Sequence, residues 1–169
     1  KDDRYDTIVR SCNGLTQYNQ CMFPTPYCIS LQNLLSYDGT DTETIYGVKG
    51  FMAEYNFNCG AGLGTVVRNN VQCIQRAISD GDTIAYLEDL TATYLNNVRH
   101  DKNNACNYAS QLAMAYQGPF HVASCEKEAD LDTWWACTSQ VNFIAQQYPE
   151  CADDIDCTKS APALAHFSE

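Results

Sequence analysis

Apolar side chains recur along most of this chain at spacings of three, four or seven residues, which is the period of an amphipathic α-helix. The clearest stripe follows the glycine-rich segment 60–64. Its members are Val66, Val67, Asn70, Cys73, Ile74, Ala77 and Ile78. The alternation of apolar and polar residues that is typical of strands is scarce. The pattern therefore predicts an all-α fold.

The stripes and the breaks between them predict about six helices. The stripes lie in segments 5–22, 45–55, 66–78, 84–98, 106–116 and 131–148. Pro24 and Pro26 forbid continuation of the first helix, and Gly118-Pro119 and Pro149 end the last two, because proline cannot donate the backbone hydrogen bond that a helix needs.

A chain of 169 residues is the size of one domain. We expect residues 1–157 to form a single cysteine-rich helical domain. Residues 158–169 contain no cysteine, and we expect them to be a loosely held C-terminal tail.

The ten cysteines are spread widely and include no closely spaced pair of the kind that zinc sites and redox motifs use. They are Cys12, Cys21, Cys28, Cys59, Cys73, Cys106, Cys125, Cys137, Cys151 and Cys157. An even number with this spread predicts a framework of five disulfides that staple the helices together. The spacing leaves the pairing open.

A disulfide framework implies an oxidising compartment. The chain starts at Lys1 rather than Met, which fits a mature secreted form whose signal peptide has been removed. No segment has the roughly eighteen apolar residues that a membrane span needs. The net charge of −11 disfavours binding to nucleic acid, because the phosphate backbone would be repelled. We therefore expect a secreted, extracellular protein.

No constellation of catalytic or metal-ligating residues stands out in the sequence. His100, His121 and His166 lack the spacing of a helical zinc pair, and no serine has the G-x-S-x-G setting of a hydrolase nucleophile. The segment 60–64 lacks the lysine of a phosphate-binding loop and indicates a tight turn into a helix. These observations predict a protein that is not an enzyme and uses no metal or cofactor.

Trp134 and Trp135 are candidates for a ligand-binding or interface site, together with Tyr148 near the end of the same predicted helix. Adjacent residues of a helix point about 100° apart, so a single core rarely buries both. We expect one tryptophan to lie in the core and the other at a surface or pocket wall, where its amphipathic ring suits an interface.

Residues 51–77, FMAEYNFNCGAGLGTVVRNNVQCIQRA, resemble the secreted cysteine-rich domains of nematodes known as chondroitin proteoglycan 4-like and related domains of unknown function. Cys59 and Cys73 have the spacing found there, and Cys12 and Cys21 look like the opening pair. The resemblance implies a secreted helical domain without known enzymatic activity. It does not imply chondroitin attachment, because the chain contains no Ser-Gly site.

The sequence favours a secreted, non-enzymatic binding or protein-interaction module whose partner is an unidentified protein or a small apolar ligand. Two alternatives stay open. One is a structural extracellular component that self-assembles into a matrix or filament, for which the eleven tyrosines are suitable. The other is a carrier of a lipid or small apolar ligand, held in a cavity between disulfide-linked helices.

Overall fold

The computed structural model describes residues 5–37, 39–66, 71–122 and 129–158, and within these ranges it contains helices but no strand. The all-α prediction is confirmed. The α-helices are α1 (Tyr5–Met22), α2 (Leu31–Leu35), α3 (Thr42–Cys59), α4 (Ala61–Val66), α5 (Val71–Ala77), α6 (Gly81–His100), α7 (Ala105–Tyr116), α8 (Gly118–Val122), α9 (Ala129–Ile144) and α10 (Pro149–Asp153). Two 3-10 turns lie at Pro26–Ile29 and Lys102–Asn104.

Most of the predicted helices correspond to a helix of the structure, namely α1, α3, α6, α7 and α9. The structure adds short helices at the connections, and α9 ends at Ile144, several residues before Pro149. The predicted helix over 66–78 corresponds to the end of α4 and to α5, with residues 67–70 outside the described part of the chain. Of the predicted C-terminal tail, only Thr158 is described.

Aspartate side chains cap the N-termini of the two longest core helices. Asp41 accepts a hydrogen bond from the backbone N–H of Thr44 at the start of α3, and Asp80 does the same for Thr83 at the start of α6. Such caps satisfy a backbone donor that the helix itself leaves unpaired. Asp41 also lies 2.9 Å from the Arg99 guanidinium, which ties the start of α3 to the end of α6.

Helix α9 lies at the centre of the fold and packs along α3 and against α7, α8 and α10. It contributes to two clusters of buried side chains. The first cluster includes Tyr94, Val98, Ala109, Leu112, Phe143 and Ile144. The second includes Val66, Ile74, Leu87, Phe120, Trp135 and Ala136. No helix in the described part of the chain has both the length and the apolar character that crossing a membrane requires.

Disulfides join helices that are distant in the sequence. Cys12–Cys59 links α1 to the end of α3, Cys106–Cys151 links α7 to α10, and Cys137–Cys157 links α9 to the segment after α10. Cys73 of α5 is also disulfide-bonded. Cys125 lies outside the described residues. The predicted stapling of the helices is therefore confirmed.

The prediction that all ten cysteines form disulfides is wrong for Cys21 and Cys28, which carry free thiols. Cys21 lies at the end of α1, where residues 16–21 are all exposed and no described helix covers them. Cys28 lies in the 3-10 turn Pro26–Ile29. A disulfide requires two Cα atoms within roughly 7 Å of each other, and an even number of cysteines does not guarantee that each one finds a partner at this distance.

The buried face of α3 is also not the face that hydrophobicity indicates. In the predicted helix over 45–55, Ile45, Val48, Met52 and Tyr55 have helical spacing. Ile45 is buried as this stripe indicates, but Val48 is 45% and Tyr55 is 51% exposed. Besides Ile45, the buried residues of α3 are Glu43, Gly47, Gly50 and Glu54, which are spaced by four, three and four residues. Glycine exposes helix backbone to a neighbour at close range, and here the Phe143 ring of α9 fills that space.

Gly50→Ala is expected to lower the free energy of unfolding by about 1 kcal/mol, even though alanine is the better helix former. An added Cβ would lie 2.6 Å from Cδ2 of Phe143, whose ring is already held edge-to-face against Phe51 and Tyr94. Overpacking costs about 1–3 kcal/mol and the helix propensity of alanine offsets about 1 kcal/mol of that. Urea denaturation measures the change.

Gly47→Ala is the matched control, because it makes the same substitution one turn earlier on the same face. Its Cβ would lie 3.5 Å from the nearest methyl carbon of Leu95, an ordinary van der Waals distance. We expect this variant to be as stable as the wild-type protein or up to about 1 kcal/mol more stable. Equal stability of the two alanine variants would contradict the close packing of α3 on α9.

Candidate functional site

A cavity of about 640 Å³ lies between α1, α3 and α6, and side chains of α4, α5, α7, α8 and α9 complete its walls. Its walls are mostly apolar. They include Ile8, Phe51, Ile74, Leu87, Phe120 and Trp135. A cavity of roughly 300–1,000 Å³ with apolar walls and a few polar groups is typical of sites for small ligands.

The helical period explains how the sequence forms these walls. The side chains that α6 contributes lie at 84, 87, 88, 91, 92 and 95, and those of α3 lie at 51, 54, 55, 58 and 59. Both sets follow spacings of three and four residues and therefore occupy one face of each helix. The small side chain of Ala92 leaves room at the outer edge of the cavity, where this residue is exposed.

The wall that α1 provides is held by a covalent bond. Cys12 and Cys59, which form a disulfide, both line the cavity. Ile8 and Cys12 of α1 are half-buried, whereas most of the other described side chains of this helix are exposed. The position of α1 over the cavity therefore depends strongly on this disulfide.

The two tryptophans have different environments. Trp135 is 7% exposed, lines the cavity and packs edge-to-face on Phe120, with ring centroids 5.6 Å apart. Trp134 is half-buried and packs edge-to-face on Phe57 instead. Tyr148 is half-buried against the first cluster and does not line the cavity. The structure thus places one of the three candidate residues in the cavity wall and does not bring Tyr148 to it.

Glu54 is the ionisable group at the inner end of this cavity, and sequence analysis did not identify it as a candidate site residue. Its side chain is buried, and its Oε1 atom accepts hydrogen bonds from Gln140 Nε2 at 3.0 Å and from the Tyr116 hydroxyl at 3.4 Å. Burial raises the pKa of Glu54 to about 7, and the two donated hydrogen bonds act in the opposite direction. The signal that could have found it is the spacing of Glu43, Gly47, Gly50 and Glu54 on one face of α3.

Two further polar atoms at the cavity are buried without a hydrogen-bond partner among the described residues. They are Nε1 of Trp135 and Oδ1 of Asn58, and both residues line the cavity. Buried polar groups are normally hydrogen-bonded, so each one calls for an explanation. A ligand with polar atoms of its own would supply the missing partners.

The histidines do not contribute to this site. His100 ends α6 and His121 lies in α8; both are exposed and neither lines the cavity. His166 lies outside the described residues. Within the described ranges, no group of three or more histidine, cysteine or acidic side chains could hold a metal ion.

Comparison of the chain with protein-family models, with curated proteins and with solved structures gave no match. The resemblance of residues 51–77 to the nematode domains therefore stays a prediction.

Proposed function

We propose that this protein is a secreted, non-enzymatic binding module that carries a small apolar ligand. The observation that carries the proposal is the cavity of about 640 Å³ with its largely apolar walls. The disulfides between its helices favour an oxidising compartment, and hence secretion.

Physical chemistry favours an organic ligand over water as the occupant of this cavity. Protein interiors are close-packed and contain few voids larger than a water molecule. A buried water molecule needs roughly two to four polar partners. The polar side-chain atoms of the walls belong to Ser11, Glu54, Tyr55, Asn58, Glu88, Thr91, Tyr116 and Trp135. The hydroxyls of Thr91 and Tyr116 already donate hydrogen bonds to protein acceptors. An apolar molecule would bury its own surface against these walls and gain the free energy of leaving water.

We propose a binding function rather than an enzymatic one because the residues around Glu54 do not resemble a catalytic set. Among the described residues that line the cavity, there is no histidine, lysine or arginine. Cys12 and Cys59 are engaged in a disulfide and cannot act as nucleophiles. Binding is the activity that these side chains support.

A protein-interaction role, including self-association, is the second candidate, and one observation favours it. Phe23, Tyr27 and Tyr37 lie close together in the sequence after α1 and are 82%, 65% and 58% exposed. Aromatic side chains are enriched at protein interfaces. The two roles are compatible, because these residues do not line the cavity.

Ala92→Phe is expected to weaken the binding of an apolar probe at least about tenfold, because the ring would occupy the outer part of the cavity. Loss of about 1.4 kcal/mol of binding free energy corresponds to this factor. The measurement is a fluorescence titration with the uncharged probe N-phenyl-1-naphthylamine. Native mass spectrometry of protein purified from its natural source would detect a retained ligand independently.

Thr93→Phe is the matched control, since Thr93 is the next residue of α6, is exposed and does not line the cavity. We expect this variant to bind the probe as the wild-type protein does. Absence of probe binding to the wild-type protein, or equal weakening by both substitutions, would contradict a ligand-carrying cavity.

A further inference from the structure

The charged groups of the cavity are all acidic. Glu54 at the inner end and Glu88 on α6 are the only residues with charged side chains among the described residues that line it. Glu88 is exposed, whereas Glu54 is 8% exposed. A buried carboxylate without a positive partner is unfavourable, because it loses its hydration without gaining an opposite charge.

The hydrogen bonds around Glu54 leave one of its oxygen atoms available. The side chains of Gln140 and Tyr116 both donate to Oε1. None of the described residues donates a hydrogen bond to Oε2. The carboxyl group is therefore fixed in orientation through one oxygen and can bind a ligand through the other.

We propose that the cavity binds an apolar amine, whose ammonium group pairs with the carboxylate of Glu54 while its apolar body lies against the walls. This inference rests on the proposed carrier function and specifies the class of its ligand. The structural basis is the buried carboxylate of Glu54 at the inner end of a cavity whose other lining residues are mostly aliphatic and aromatic.

The charge of the cavity discriminates among the common classes of apolar ligand. A carboxylate or phosphate headgroup would be repelled by Glu54 and Glu88, and no basic residue of the cavity wall would compensate. An uncharged alcohol would gain one neutral hydrogen bond. An ammonium group would gain a charge-assisted hydrogen bond in a region of low dielectric constant, which is about twice as strong.

The aromatic residues and the overall charge favour the same ligand class. Tyr55, Tyr116, Phe120 and Trp135 line the cavity, and the face of an aromatic ring attracts a cation. The net charge of −11 raises the local concentration of cations and so favours their association with the protein.

Binding of an ammonium group should depend on pH through Glu54. Because burial raises the pKa of this carboxyl to about 7, the group is partly protonated at neutral pH, and pairing with a cation requires the ionised form. The groups in contact with it are Tyr116 on α7 and Gln140 on α9, and Tyr55 on α3 and Glu88 on α6 are the other ionisable groups that line the cavity. Affinity for an amine should therefore rise as the pH rises from 6 to 8.

The test uses three ligands with one alkyl chain and different headgroups, namely octylamine, octanol and octanoate. Each displaces N-phenyl-1-naphthylamine from the wild-type protein at pH 8. We expect octylamine to bind at least about tenfold more tightly than octanol, and octanoate to bind most weakly. Between pH 6 and 8 the affinity for octylamine should increase, whereas that for octanol should not.

Glu54→Gln keeps the shape of the side chain and removes its charge, and it should abolish the preference for octylamine over octanol. Asp89→Asn is the control, because it removes one negative charge at an exposed residue of α6 that does not line the cavity, and it should keep the preference. If Glu54→Gln does not fold, the pH dependence of octylamine affinity in the wild-type protein tests the role of Glu54 instead.

The amine proposal would be overturned if octylamine bound no more tightly than octanol, or if Glu54→Gln kept the preference for octylamine. Either result would leave the carrier function standing. If neither the probe nor any of the three ligands binds, both the amine proposal and the carrier function are overturned.

Discussion

The double variant Cys106→Ala, Cys151→Ala is expected to have a free energy of unfolding about 4 kcal/mol below that of the wild-type protein. The disulfide between these residues spans a sequence separation of 45 and ties α10 to α7. Cross-linking a loop of this length removes conformational entropy from the unfolded chain, which corresponds to about 4 kcal/mol at 25 °C. Urea denaturation at 25 °C measures the loss.

An effect of this size is a large fraction of the roughly 5–15 kcal/mol that typically stabilises a folded domain. Cys151 is 2% exposed and belongs to the first cluster, so its replacement also removes buried contacts. We therefore expect the variant to be partly unfolded at body temperature.

Cys21→Ser, Cys28→Ser is the matched control, since it also replaces two cysteines but breaks no disulfide of the structure. Cys21 is exposed and Cys28 is half-buried, so we expect this variant to lose no more than about 1 kcal/mol of stability. A loss comparable to that of the first variant would contradict the assignment of free thiols to Cys21 and Cys28. Thiol titration of the unfolded, unreduced wild-type protein provides a second measurement.

Raising the pH from about 4.5 to about 7 is expected to destabilise the wild-type protein by about 3 kcal/mol relative to Glu54→Gln. The pKa of Glu54 is about 7 in the folded protein and 4.5 when the side chain is unperturbed. Within this window the folded state binds more protons than the unfolded state, so stability falls as the pH rises. Each pKa unit corresponds to about 1.4 kcal/mol.

The contribution of Glu54 is fully present below pH 4.5, is lost progressively towards pH 7 and does not change above it. Asp41, Glu43 and Asp80 act in the opposite direction and in a more acidic range. Their pKa values are lowered by hydrogen bonds from Thr44, Lys102 and Thr83 respectively. Their stabilisation is therefore lost as the pH falls.

Urea denaturation of both proteins at several pH values between 4 and 8 separates these effects, because the three acidic residues contribute equally to the wild-type protein and to Glu54→Gln. We expect the variant to be the more stable protein at pH 8 and the two to converge at pH 4. Parallel curves across the whole range would show that Glu54 titrates as an exposed carboxyl.

The helical fold was predictable because the apolar side chains of most helices recur at spacings of three or four residues. In α6, Leu87, Thr91, Tyr94 and Val98 are buried as the stripe over 84–98 indicates. The buried face of α3 was not predictable from hydrophobicity, because glycine and glutamate score as polar or neutral. Burial of Gly50 depends on the position of Phe143, which is far away in the sequence.

The candidate site was predictable only in part, for the same reason. Trp135 was a candidate from its chemistry alone, and the structure places it in the cavity wall. Glu54 looks like a solvent-facing residue in the sequence, because the partner that holds it inside, Gln140, is separated from it by 86 residues. The cysteine pairs are equally non-local, so the spacing of the cysteines did not determine them.

The attachment of α1 has a consequence for how this protein can diversify. The helices around α9 are held by close packing, in which a single added methyl group at Gly50 is expected to matter. The wall over the cavity is instead tethered by the Cys12–Cys59 disulfide and is largely exposed on its outer side. Substitutions along α1 can therefore change the size and shape of the cavity during evolution without disturbing the packed core.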